Sequence, residues 1–289
     1  IDKRGGGTTT RQADAFEPWH VVQRVHGVLL TGGSAHGLGA LSGVLRFLEE
    51  RQVGFDMRVA RVPIAAAAGL FDLGIGSGTV RPDEAMAYDA CLEASGRWPD
   101  EGCVGAGMGA TVGKVLGMDQ AMKSGLGVAA LAVGPALVVE AVAAVNAGGD
   151  VIDPDGNGII AGVRRTANDD GAGYFANALE VLERTNSGEL ETAGGNTVIG
   201  AIITNARLTK IEATKVAQMA HDGLARAVRP SHTMFDGDTI FTLATGEVAG
   251  EVNVVGAFAA EAFQQAVVRA VTKAVSLGGL PAASDVDTN

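Results

Sequence analysis

The feature that most narrows the fold of this 289-residue chain is an abrupt change of character at Asn196–Thr197. The residues up to Asn196 (ELETAGGN, 189–196) are polar and glycine-rich, as a surface loop is. From Thr197 the sequence TVIGAIITNARL alternates and then runs apolar, as a buried strand does. The period then changes. KIEATKVAQMAHDGLARAV (210–228) has helical spacing, residues around 239–245 read as a strand, and residues near 254–276 as a second helix. The segment that follows Thr197 is therefore mixed α/β.

The longer part ahead of it is mixed as well. VVQRVHGVLLTGG (21–33) reads as a strand ending in a glycine turn, and residues 34–54 carry leucines at helical spacing (Leu38, Leu41, Leu45, Leu48). Pro82-Asp83-Glu84 opens a helix over 81–96. Residues 136–158 read as a strand, a turn, a short strand and a second turn. The most polar stretch, 163–195, contains the best linker candidate. No repeat of 20–50 residues stands out.

Only 4% of residues are aromatic while 47% are hydrophobic, so the core must be built from Ala, Val, Leu and Ile. The 42 glycines are about twice the usual share and have no collagen period, which points to tight turns and close backbone approaches. A net charge of −11 argues against nucleic acid or an anionic membrane as partner. Cys91 and Cys103 form neither a disulfide framework nor a zinc set and have no visible base partner, so a reduced cytoplasmic setting is expected. No uninterrupted apolar run of about 18 residues is present. The chain opens on Ile1 rather than Met, which leaves room for a removed leader.

Two glycine-rich segments tempt a nucleotide reading. GAGMGA (105–110) fits a degenerate dinucleotide fingerprint, and GATVGK ends in Gly113-Lys114 like a phosphate loop. Context counts against both. No strong strand precedes Gly105, no acidic residue follows at the required distance, Met108 stands where the loop glycine belongs, and Val115 replaces the Ser/Thr after the lysine.

Thr197 itself has two readings. It is either the first residue of a strand that favours extended geometry, or a nucleophile whose hydroxyl attacks the Asn196 carbonyl. In the second case cleavage would leave Thr197 with a free α-amine, of reference pKa about 7.7–8.0, as the base for its own hydroxyl. Glycines ahead of the bond would permit the backbone geometry such a shift needs. Asp-Gly between MF and TIFTL (234–243) is a strong hairpin signal, and equally a source of two neighbouring carboxylates. Lys114 follows an apolar glycine-rich run, where a solvated charge is less natural. Asn146 at a strand end suits a turn cap or an oxyanion donor. His221 and His232 read as packing or turn residues.

The segment GGNTVIGAIITNARLTKIEATKVAQMAHDGLARAVRPSHTMFDGDTIFTLATG (194–246) resembles the self-processing aminopeptidases and amidases. That family includes L-aminopeptidase/D-Ala-esterases, β-peptidyl aminopeptidases and nylon-oligomer (6-aminohexanoate oligomer) hydrolases. RVHGVLLTGGSAHGL, VPIAAAAGLFDLGIG, VGAGMGATVGK and AVNAGGDVIDPDG extend the likeness over most of the chain, in family order. The threonine and the Asp-Gly-Asp element place it nearest the nylon-oligomer hydrolase branch. The resemblance implies a four-layer αββα sandwich, a single domain cut into an α chain (1–196) and a β chain (197–289) that stay associated, and a homo-oligomer of αβ units. It also implies a shortened N-terminus, since relatives carry strand sequence ahead of the counterpart of Ile1. By position it implies Thr197 as nucleophile, Asn196 on the acyl side of the cut, Asp236 and Asp238 as a carboxylate pair orienting the nucleophile, and Lys114 and Asn146 as polar groups facing the site. Phe71 stands where some relatives carry tyrosine, so a phenolic hydrogen bond is lost there. The expected substrate is a short peptide or amino-acyl oligomer, hydrolysed through an acyl-enzyme with no metal or organic cofactor. The competing class is an uncut nucleotide- or metabolite-binding α/β protein.

Overall fold

The computed structural model describes residues 1–156, 158–166, 171–185 and 195–286. In chain order its main strands are β1 (Asp2–Lys3), β2 (Thr10–Arg11), β3 (Gly27–Thr31), β4 (Ala65–Gly69), β5 (Leu126–Val133), β6 (Leu137–Asn146), β7 (Thr197–Arg207) and β8 (Thr239–Ala249). Its main helices are α1 (Leu41–Glu50), α2 (Glu84–Glu93), α3 (Lys210–Ala227) and α4 (Val252–Thr272). Thr197 does open a strand, and that strand is central. β7 pairs antiparallel with β6, so that Thr197 faces Asn146, and parallel with β8, giving the order β1-β8-β7-β6-β5. A parallel pair needs a crossover, and α3 supplies it. Thr209 caps that helix in a reciprocal box with Glu212, satisfying donors at its first turn.

The two faces of this sheet divide by residue parity. Val139, Ala141, Ala143 and Val145 of β6, with Val198 and Ile202 of β7, pack beneath Leu224 of α3 and Phe263 and Val267 of α4. Ala144, Ile199, Ala201 and Phe241 face the other way, onto Ala66, Ala68 and Leu70. Leu70 follows directly after β4, and Ala66 and Ala68 belong to a second sheet, β2-β4-β3. Ala65 and Ala67 on its far face meet Leu41, Val44 and Leu48 of α1 and Ala87 of α2. The result is the expected four-layer αββα sandwich. Helix α4 is long and apolar enough to cross a membrane by length and composition, but its Phe263, Ala266 and Val267 are buried in the core against the sheet.

Several local readings need correction. The strand expected over 21–33 is confined to Gly27–Thr31. The polar stretch 163–195 contains a helix, Ala178–Arg184, whose N-terminus is held by the buried Asp150 carboxylate accepting from Ala178 N at 2.6 Å. The remainder of that linker candidate, 167–170 and 186–194, lies outside the described residues. Gly105–Gly107 forms a 3-10 turn rather than opening a helix, so it builds no dinucleotide-binding terminus.

Candidate active site

The site is assembled where β6 ends and β7 begins. Thr197 is buried, and its hydroxyl donates to the carbonyl oxygen of the preceding residue, Asn196. That oxygen also accepts from Gly237 N at 2.8 Å, and Asn196 N donates to Phe235 O at 3.3 Å. Asn196 thus forms a parallel bridge with Asp236. Asp236-Gly237-Asp238 is accordingly not the tip of a hairpin: it runs alongside the Asn196–Thr197 bond and leads into β8, parallel to β7. Just before the bond, Gly195 has φ +118°, and an added Cβ would lie 2.6 Å from the Phe71 ring, so this position admits glycine alone.

The two aspartates, both buried, serve different neighbours. Asp238 Oδ1 accepts from Val198 N at 2.7 Å, which fixes the first residues of β7. Its Oδ2 lies 2.7 Å from His232 Nδ1 and accepts from His232 N at 3.2 Å. Asp236 Oδ2 accepts from Thr233 N at 2.8 Å and Thr233 Oγ1 at 2.6 Å. Burial, and then the nearby Asp238 charge, hold the Asp236 carboxyl above the ordinary aspartate range.

Lys114 and Asn146 arrive from the part of the chain that precedes Thr197. Lys114 is anchored by its backbone N to Gly148 O at 2.9 Å, in the turn after β6. Its buried ammonium donates to Asn146 O at 2.8 Å. Burial pulls its pKa down to about 7, against the opposing charges of Asp236 and Asp72. The Asn146 side chain is fully used. Oδ1 accepts from Thr111 N (3.0 Å) and Oγ1 (3.2 Å), while Nδ2 donates to Phe71 O and Gly195 O, both at 2.9 Å. Phe71 contributes its carbonyl and its ring face, and no hydroxyl.

Thr197, Asn196, Asp236, Asp238, Lys114, Asn146 and Phe71 are thus brought together around a single peptide bond. Two participants were not singled out as such. His232, read as a packing or turn residue, sits at a turn with φ +59° but also faces Asp238. The Gly237 amide is a backbone donor and leaves no trace in side-chain chemistry.

The model of peptidase family S58 matches residues 1–288. The chain belongs to peptidase family S58. Among its relatives, an uncharacterized aminopeptidase of Mycobacterium tuberculosis H37Rv is 37% identical, covering 99% of this chain and 85% of its own length. A 6-aminohexanoate-oligomer endohydrolase of Kocuria sp. KY2 is 33% identical over 86% of this chain and 66% of its own. Among solved structures, a Pyrococcus horikoshii OT3 protein superposes with a TM-score of 0.66 at 20% identity, covering 96% of this chain and 73% of its own. The L-aminopeptidase D-Ala-esterase/amidase of Ochrobactrum anthropi, described as a variant of the Ntn hydrolase fold, gives 0.58 at 18% identity over 86% and 66%. The S58 chain is thus a hydrolase of the peptidase and amidase type with an Ntn-like αββα fold, and the nucleotide-binding alternative falls away.

Proposed function

We propose that this S58 chain cleaves its own Asn196–Thr197 bond and then works as an amidohydrolase with Thr197 as N-terminal nucleophile. The observation that carries the reading is the placement of the Thr197 hydroxyl against the Asn196 carbonyl, whose oxygen accepts from Gly237 N. As Oγ1 bonds to that carbonyl carbon, negative charge develops on an oxygen that already has a donor in place. Collapse breaks the C–N bond, the hydroxyl proton passes to the departing amine, and water hydrolyses the ester to give the Asn196 carboxylate and a free Thr197.

The freed α-amine is then the base for its own hydroxyl. Withdrawal of the new Asn196 chain end releases one Asn146 Nδ2–H from Gly195 O, making it available to the oxyanion of an incoming amide. A charged Lys114 lowers the α-amine pKa and favours the oxyanion, while its pKa of about 7 lets it also take up or give a proton near neutrality. The acyl-enzyme forms as the substrate's amine leaves, and water releases the acid. The α and β chains remain one body in this scheme, because β7 lies between β6 of the α chain and β8 of its own. Short peptides or amino-acyl oligomers are the substrates.

Intact mass and N-terminal sequencing of purified protein test the scheme. The smaller fragment should begin Thr-Val-Ile-Gly-Ala. Thr197→Ala should remain a single inactive chain, and Thr197→Ser should retain part of the processing because a hydroxyl remains. An active preparation containing only uncut chain refutes the proposal.

A further inference from the structure

We propose that Asp72 selects substrates with a free amine on their acyl part, its carboxylate receiving the substrate's ammonium; this rests on the amidohydrolase reading above. Asp72 stands at the junction of two cavities. One, of about 40 Å³, lies beside Gly195 and Lys114, next to the bond under attack. The other, of about 400 Å³, shares Asp72, Ile75 and Gly109 with it and is walled by apolar side chains such as Val80, Met86 and Met108. Once the Asn196–Thr197 bond is cut, withdrawal of the new chain end, with Gly195 that lines the first cavity, opens both toward the nucleophile. The acyl part of a substrate then has a route from Thr197 past Asp72.

The carboxylate is built to receive a cation. Oδ1 accepts from Gly33 N at 2.7 Å, which fixes the group's orientation. Oδ2 meets no donor among the described residues and borders both cavities, packed against the Gly109 backbone. A half-buried carboxylate with one unused oxygen among apolar walls favours a charge-assisted bond over a neutral one. Three cations among the described residues compete: Arg81 on the wall of the larger cavity, whose Nε donates to Gly78 O at 2.9 Å; Lys123, whose ammonium donates to the carbonyls of Gly107, Ala110 and Ser124; and Lys114. The Lys114 ammonium is already engaged, donating to Asn146 O at 2.8 Å.

Asp72→Asn tests the assignment, since asparagine keeps the oxygen that Gly33 N requires. Alanyl, β-alanyl and 6-aminohexanoyl p-nitroanilides, each free and N-acetylated, are assayed on fully processed protein. The substitution should raise KM by about tenfold or more for at least one free-amine substrate, leave its kcat within about twofold, and leave N-acetyl substrates unaffected. Self-cleavage should proceed to the wild-type extent, because no ammonium is bound in that step. Unchanged KM for all three amines overturns the inference. So does an equal loss on free and acetylated substrates with slowed self-cleavage, which makes Asp72 a partner of Lys114 instead. A wild-type chain that neither cleaves itself nor turns over any of the six refutes the hydrolase reading, a result distinct from either.

Discussion

Asp238 accepts from Val198 N with one oxygen and faces His232 with the other, so the position of Thr197 depends on a residue six positions upstream of the aspartate. The histidine is itself confined. Its Nε2 is buried without a partner among the described residues, and its ring meets that of His221 edge-on at 4.8 Å. Burial, and then the neighbouring His232, pull the His221 pKa down to about 4, so His221 stays neutral through the working range. With Nδ1–H donating to Asp238, His232 acts as a positioning residue for the carboxylate. His232→Ala removes a hydrogen bond to a charged group, a loss of about 1.5–3 kcal/mol. Turnover and self-cleavage should therefore fall about 10- to 100-fold. Asparagine tolerates positive φ and carries an amide donor near the Nδ1 position, so His232→Asn should recover much of the loss. Rates on an aminoacyl p-nitroanilide, with circular dichroism as the check on folding, measure both. Equal defects in the two variants would mean that the ring's packing, and not its hydrogen bond, is what matters.

At the scale of elements, the legible parts were those whose period matches their environment. β7 and α3 show one because each has distinct faces, and the loop-to-strand switch at Thr197 follows from it. β4 carries no strand pattern in its sequence: AAAAG has high helix propensity, yet it is a strand, since Ala66 and Ala68 face one layer while Ala65 and Ala67 face another. A strand buried on both sides loses the alternation that marks it. β5 lacks a marked alternation for a similar reason, its LGVAALAV being rich in small residues. His232 could not be distinguished because its role depends on a turn geometry with no periodic signature. Small residues set the spacing between layers, as Gly200 does in the middle of β7. A Cβ there would lie 2.4 Å from the Phe263 ring of α4 and 2.5 Å from Val142 O. Gly200→Ala should therefore lower stability by about 1–3 kcal/mol through overpacking, despite alanine's lower entropic cost. Urea denaturation in a Thr197→Ala background, where every chain is uncut, isolates this term. A neutral or stabilising outcome would show that the α4 layer shifts freely.

For the molecule as a whole, the candidate site places charge in the interior, and its cost depends on pH. Lys114 is buried with a pKa of about 7, against 10.5 in an exposed chain. Between those values the unfolded chain binds the proton that the folded chain lacks, so this group makes stability rise with pH from about 7 to 10.5. Its favourable contribution is complete above 10.5 and is lost as pH falls through 7. Asp150 acts in the opposite sense at lower pH. Burial raises its pKa from 3.8 to about 6, so its contribution is present below 3.8 and lost as pH rises through 6. The two together place the least favourable point near neutrality, where the enzyme would operate with a lysine that exchanges protons readily. Lys114→Met keeps most of the stem and removes the charge. In the Thr197→Ala background it should raise stability at pH 6 by on the order of a few kcal/mol, less about 1 kcal/mol for the lost bond to Asn146 O. That advantage should shrink steadily as pH rises from 7 toward 10. Denaturant midpoints across pH 6–10 test both the sign and the slope, and a difference between the two proteins that does not vary with pH would show that Lys114 is not held as a buried, readily deprotonated group.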